Sequence, residues 1–324
     1  MNQLLSTQQE FSSVSEFSDA ICQLGWSAKF GQLDCGAGDA RFSALLDPMA
    51  ILLRVSCERR TKQDVVPPQG YRTFGLPVSP MVTSTIENRP LSNRDFIYID
   101  EQQGFSSVGE PGFDAYTLAI EKSRMSELSQ NLHLPDPGES VQLWGTEVQP
   151  APERLAAIKT ITQKIFKLEQ SKPQSLEAQA SLSELISLDL PSAIIQLGMP
   201  HDQGKRIPVR NRELALRRAL DFIEANPKEA LTVEAVCVAA ATSLSTLERA
   251  FMERFSISPK RYILVQRLNQ VHSELIRKNN HRSISDVASE WGFWHMSQLA
   301  ADYKSLFGYL PSETTLAKFN VSAR

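Results

Sequence analysis

The segment from Thr232 to Glu313 repeats itself imperfectly, and that repeat limits what this chain can build. In the first copy, apolar or small residues fall at Val233, Val236, Cys237 and Ala240. A break at Thr242-Ser243 follows, then Leu247, Phe251, Phe255 and Pro259. In the second copy the matching positions are Ile284, Val287, Ala288 and Trp291, a break at Gly292, then Leu299, Tyr303, Phe307 and Pro311. The first halves are offset by 51 residues and the second halves by 52, so one turn holds an extra residue. Apolar residues three and four apart line one face of a helix. Each copy is therefore a short helix, a tight turn and a second helix packed on the first: two helix-turn-helix units whose outer second-helix faces are free to enter a DNA major groove.

Local chemistry agrees with these boundaries. Thr232 and Ser283 are placed as N-caps, with Ala235 and Asp286 at the third helical position. Cys237 and Ala288 are small, as a close helix crossing requires. Gly292 suits a turn residue with positive φ, whereas Ala241 holds that place in the first copy and predicts a less sharp turn.

Charge separates this region from the rest. Residues 205–324 carry 18 Lys+Arg against 12 Asp+Glu, a net of +6, while residues 1–204 carry a net of −9. One half suits a polyanion and the other repels it, as expected of a DNA-binding module joined to a control domain. At 324 residues and 42% hydrophobic, the chain has material for two cores. Its longest apolar runs, such as Ile51–Leu53, are too short to cross a bilayer, and its N-terminus lacks the pattern of a signal peptide. The expectation is a cytoplasmic protein with no membrane partner. Cys22, Cys35, Cys57 and Cys237 are widely spaced without a CxxC pair and read as ordinary reduced thiols.

Upstream of the repeat, Gly31 to Glu121 reads as β-rich. Candidate strands are Ala50–Cys57, Gly70–Leu76, Met81–Ile86, Phe96–Asp100 and Ala115–Ile120, separated by turn signals, and they suggest a sandwich or small barrel. A short helix around Phe11–Leu24 leads into it. After Pro152 the period becomes helical at Leu155, Ile158, Ile161, Ile165 and Leu168, a stripe equally suited to a core face or a dimer seam. A second helix covers Leu176–Leu188. The Gly- and Pro-containing stretch Leu197–Asn211 reads as a linker. The expected division is 1–150 as a β-rich regulatory domain, 151–196 as a helical connector, 197–211 as linker and 212–324 as the tandem helix-turn-helix domain.

Several motifs in 212–316 resemble the AraC/XylS family of transcription regulators. They are Ser258-Pro259-x-x-Tyr262 with Arg267-Leu268-Asn269, Ile284-x-x-Val287-Ala288-x-x-x-Gly292-Phe293, and Tyr303-Lys304-x-x-Phe307-Gly308-x-x-Pro311-Ser312. The run Trp291 to Met296 is similar to a subset that includes regulators of ethanolamine-utilisation operons. The resemblance implies an α+β protein. Its N-terminal part is a β-rich cupin-like barrel with a helical dimerisation segment, and its C-terminal part is all-α with two helix-turn-helix units joined by a long helix, here Lys260–Arg277. It implies a homodimer on double-stranded promoter DNA, RNA polymerase as a further partner, and activation in response to a small-molecule effector.

By position, the family's base-reading residues fall on Ser245, Thr246, Glu248 and Arg249 in the first unit and on His295, Met296, Ser297 and Gln298 in the second. Arg249 can donate two bonds to guanine and Glu248 can accept from cytosine N4. Ala301 stands where a basic residue like Arg249 is common, which turns the second unit toward phosphates or a thymine methyl. Trp291, Phe293 and Trp294 read as core and helix-packing residues rather than base contacts.

The N-terminal part offers no catalytic motif. Only His133 among the five histidines precedes residue 200, so a cupin-type metal site is not expected. Gly36-Ala37-Gly38 lacks the third glycine of a dinucleotide site, and Asp34 and Asp39 beside it read as loop residues. No cofactor and no enzymatic activity are expected, and the interior of the β domain is the expected effector site. Two alternatives remain: a regulator governed by a protein partner or by abundance, and a catalytic N-terminal domain carrying a DNA-binding tail.

Overall fold

The computed structural model describes residues 4–78, 84–86, 89–137, 147–150, 155–171, 175–197, 211–229, 231–277 and 282–314. Among these, twelve strands form two antiparallel sheets. The first runs, in spatial order, β1 (Leu5–Phe11), β3 (Ala40–Asp47), β4 (Ala50–Cys57), β11 (Phe113–Glu121), β6 (Tyr71–Pro77), β9 (Asp95–Ile99) and β12 (Glu147–Pro150). The second runs β2 (Ser27–Gln32), β5 (Thr61–Val66), β10 (Phe105–Gly109), β7 (Thr85–Ile86) and β8 (Arg89–Pro90). Among the described residues the sheets do not close on each other, so the expected barrel is an open two-sheet arrangement. The strand expected at Ala50–Cys57 is met at both ends, and three others are met within a few residues. Of the strand expected at Met81–Ile86, Thr85–Ile86 is a strand and 81–83 lie outside the described residues.

The alternation of strand side chains explains the layers. On β11, Leu118 pairs with Leu52 of β4 and Phe74 of β6, and all three belong to one buried cluster. Helices cover this face: α2 (Lys122–Leu132), α3 (Leu155–Gln170), α4 (Leu176–Glu184) continuing through a π turn at Leu185–Asp189, and α5 (Leu190–Leu197). Of the Leu155 stripe, Leu155, Ile158 and Ile165 lie in that cluster at most 1% exposed, while Ile161 is partly buried and Leu168 is 37% exposed. One residue along β11, Ala119 points to the opposite face. There small Ala40 and Ala44 make room for Phe17, Phe30 and Phe42, and for α1 (Val14–Gln23), beside the second sheet. The Phe17–Phe30 pair is edge-to-face at 4.8 Å, which fills this interior with interlocked rings.

The C-terminal helices are α6 (Asn211–Ala225), α7 (Val233–Ala239), α8 (Leu244–Phe255), α9 (Pro259–Ile276), α10 (Ile284–Glu290) and α11 (Met296–Phe307). The linker expected at Leu197–Asn211 lies, for 198–210, outside the described residues. Helix α9 starts where the Ser258 N-cap and Pro259 dictate: the Ser258 side chain accepts from Arg261 N, and proline at the first position forgoes a hydrogen bond it could not make.

The two halves share an extensive polar contact. The Asn269 carboxamide on α9 pairs with the backbone of Gln32 at the edge of the second sheet, donating to Gln32 O at 2.9 Å and accepting from Gln32 N at 3.0 Å. Lys62 on β5 reaches Asp64 at 3.0 Å and Glu224 of α6 at 2.5 Å. Burial works against the Lys62 ammonium, but Tyr262, Asp64 and Glu224 outweigh it and hold its pKa above the ordinary lysine value. Leu33 and Val108 of the β domain enter the apolar core of the helical domain.

At the far end of α9, His272 is 1% exposed, with Nε2 2.7 Å from Ser13 Oγ and Nδ1 2.5 Å from the Tyr303 hydroxyl. Burial pushes its pKa down to about 4. A histidine held neutral in the fold contributes stability that is whole above its unfolded pKa of about 6.5 and declines as pH falls through the window toward about 4. Unfolding by urea, followed from about pH 7 to about pH 4, should therefore show wild type losing up to roughly 3 kcal/mol more than His272→Gln. Parallel profiles would mean that the buried imidazole accepts its proton without cost.

Candidate nucleic-acid interface

Each unit is built by its caps. Thr232 Oγ1 accepts from Ala235 N to start α7, and Ser243 Oγ accepts from Thr246 N to start α8. Ser283 and Asp286 form a reciprocal capping box at α10. Helix α11 differs, because its N-cap His295 makes no side-chain cap hydrogen bond. The first-turn amides of α11 are thus left for another acceptor, at the positive end of the helix dipole.

The turns are more alike than the sequence suggests. Gly292 has φ +74°, and a Cβ there would meet Arg267 Nη2 at 1.9 Å, since Arg267 lies over Phe293 and donates to Trp291 O. Ala241 adopts the same left-handed conformation at φ +50°, so the first turn is not gentler; it bears the Cβ strain that glycine avoids in the second. At the first helix crossing, Val236 and Ala240 are fully buried and Cys237 only partly, while Ala288 is completely buried in the second.

The residues expected to read bases lie near the start of α8 and α11. Ser245, Glu248 and Arg249 are exposed and Thr246 is half-buried, while Leu247 and Ala250 face the core. In the second unit His295, Met296, Ser297 and Gln298 are exposed and Leu299 is buried. Trp291 and Phe293 are buried as expected, but Trp294 is 75% exposed, and its assignment to packing is corrected. Its two aromatic neighbours occupy the available core, and the indole is left outside beside His295.

Sequence reasoning missed what holds the other ends of these helices. The last-turn carbonyls of a helix lack intrahelical partners. For α11, Leu306 O receives Gln32 Nε2 at 2.5 Å and Gly36 N at 3.0 Å, and Ser305 O accepts from Gly36 N at 3.2 Å. For α8, Phe255 O receives Arg60 Nη1 at 3.3 Å, while Arg254 binds Thr85 Oγ1 and Ser106 O. Gly308 is glycine because φ is +88° and a Cβ would lie 2.8 Å from Ala37 N. The Gly36-Ala37-Gly38 fragment is therefore an interdomain contact loop, a role for which its sequence carries no signal. Two residues before it, Asp34 accepts from Arg60 N, and burial raises its pKa.

No helix among the described residues is long and apolar enough to span a membrane. A family model described as a helix-turn-helix domain matches residues 236–316. Over 101 residues the chain is 34% identical to the "XylDLEGF operon transcriptional activator 3" of Pseudomonas putida, covering 31% of this chain and 30% of that protein. Over 99 residues it is 30% identical to the "Probable thc operon regulatory protein" of Rhodococcus erythropolis, covering 30% of each. The chain thus spans less than a third of the length of these two relatives. Among solved structures, it is similar to a probable AraC family transcriptional regulator from Rhodopseudomonas palustris. That structure is 28% identical, covers 32% of this chain and 96% of its own, and has a TM-score of 0.31.

The strained turn makes a direct prediction. Ala241→Gly should raise stability by about 0.5–1 kcal/mol, read as a higher urea midpoint at unchanged slope. A midpoint equal to or below wild type would show that the turn accommodates Cβ without strain.

Proposed function

We propose, from a helix-turn-helix domain of the AraC/XylS type in residues 236–316, that this chain is a sequence-specific DNA-binding transcription regulator. The observation that carries this reading is the polarity of the two second helices. Their C-terminal ends are docked on the β domain, whereas the N-terminal ends bearing Arg249 and Gln298 are exposed. The N-terminal part of a recognition helix is the part that meets base edges.

In this reading Ser245, Thr246, Glu248 and Arg249 meet base edges, with Arg249 donating to guanine and Glu248 accepting from cytosine. His295, Met296, Ser297 and Gln298 meet the next major groove, about one helical turn away. Activation is the proposed direction, supported by the activator named among the relatives. The chain works in the cytoplasm as a homodimer that meets RNA polymerase at the promoter. A small-molecule effector acts through the β domain, which touches both units and so can bias both together. Such an effector must bind the two states with different affinity, and one that bound both equally would shift nothing.

The deciding experiment is fluorescence anisotropy of the full chain on its own upstream promoter and on a scrambled duplex, over a salt series. A preference for the promoter is expected. Arg249→Ala should cost about 1–3 kcal/mol on the preferred site and relax selectivity at one base pair. An equal loss on every sequence would reduce Arg249 to a phosphate contact, and no promoter preference for wild type would remove the assignment as a regulator of that promoter.

A further inference from the structure

Tryptophan is rarely left in water, yet Trp294 is 75% exposed. It stands one residue before the N-cap of α11, and Met296, 36% exposed, is the first residue of that helix. Both lie at the end of α11 that points away from the β domain, next to the exposed His295, Ser297 and Gln298. Among the described residues no core position covers this apolar pair, and Trp291 and Phe293 fill the nearby core at 7% and 9% exposure.

Met296 matches Leu244 of the first unit, which is apolar and 48% exposed as well, but the other positions carry different chemistry. With the 52-residue offset, Trp294 matches Thr242, Ala300 matches Glu248 and Ala301 matches Arg249. The second unit has lost the two side chains best suited to guanine and cytosine and gained an indole. From Trp294 to Ala301 it holds no Lys, Arg, Asp or Glu. The major groove presents one apolar feature on its base edges, the C5 methyl of thymine, and apolar side chains are what contact it.

We propose that Trp294, with Met296, is a specificity-determining contact of the second unit, recognising thymine methyl groups in duplex DNA. The inference rests on the DNA-binding role proposed above. The first unit then selects G·C pairs through charged hydrogen bonds and the second selects thymine by apolar contact, so the two halves of one site differ in kind. Alanine at 300 and 301 lets the helix approach the base edges closely enough for a methyl contact.

The test uses the full-length chain and duplexes that it selects from a random-sequence library. Wild type should enrich a bipartite site with one thymine-bearing half. Replacing those thymines one at a time by deoxyuridine, which removes only the methyl, should weaken wild type roughly fivefold at one or two positions. Trp294→Ala should bind the thymine duplex about as weakly as wild type binds the uracil duplex, and should itself ignore the exchange. Because the side chain is exposed, its thermal midpoint should match wild type, separating lost recognition from lost folding. Wild-type indifference to uracil overturns the proposal, as does Trp294→Ala binding that equals wild type or falls equally on all sequences. A library that enriches with dependence on Arg249 but not on Trp294 sinks this inference alone. One that does not enrich at all sinks the DNA-reading function with it.

Discussion

The helix Pro259–Ile276 is the beam on which both units hang, and aromatic rings fasten it at each end. Near its start Tyr262 packs on Phe251 at 5.1 Å and on Phe255 at 4.6 Å. Near its end His272 stacks on Phe307 at 4.4 Å and meets Tyr303 at 5.7 Å. Phe251 and Tyr303, like Phe255 and Phe307, are equivalent positions of the repeat. The same two turns of each second helix are therefore clamped to one rod, and each such ring pair contributes about 0.5–1.5 kcal/mol beyond its buried area. An 18-residue helix is roughly 27 Å long, so it holds the two units apart without a flexible joint.

That arrangement makes the β domain's contacts consequential. Gln32 touches the beam through Asn269 and the second unit through the Leu306 carbonyl, while Arg60, just before the neighbouring strand β5, reaches the first unit at Phe255. The edge strand β2 and its following loop thus supply donors to carbonyls at the end of α11, and Arg60, just before β5, supplies one to the end of α8.

The repeat was legible because core faces of helices impose a period that composition cannot blur. Thr232 and Ser283 follow from capping rules, and the beam from about residue 260 to 277 from the resemblance to the AraC/XylS family. The β domain was legible only where strands are apolar. β4 and β11 stand out, but β1 (LSTQQEF) is mostly exposed and β5 (TKQDVV) buries Lys62 and Gln63, so neither shows the alternation that marks a strand. Lys62 looks like a surface lysine until the fold brings Glu224 to it. His272 carried no mark either, since its partners Ser13 and Tyr303 are 259 and 31 residues away in the chain.

Trp294 was misplaced for an instructive reason. Three large aromatics within four residues suggest a single packing cluster, and a tryptophan's apolar area argues for burial. The turn at Gly292 settles which of them go inside. Its positive φ reverses the chain so that Trp291, ending α10, and Phe293, just after the turn, both fold back onto α9, where Arg267 covers Phe293 at 5.0 Å. With that pocket occupied by Phe293, the next side chain along must leave it, and residue 294 faces outward whatever its identity. In the first unit the outward residue is Thr242, which water solvates at no cost. A tryptophan there exposes apolar surface that the described residues of the folded chain leave uncovered, and that surface is what the proposed thymine contact would bury.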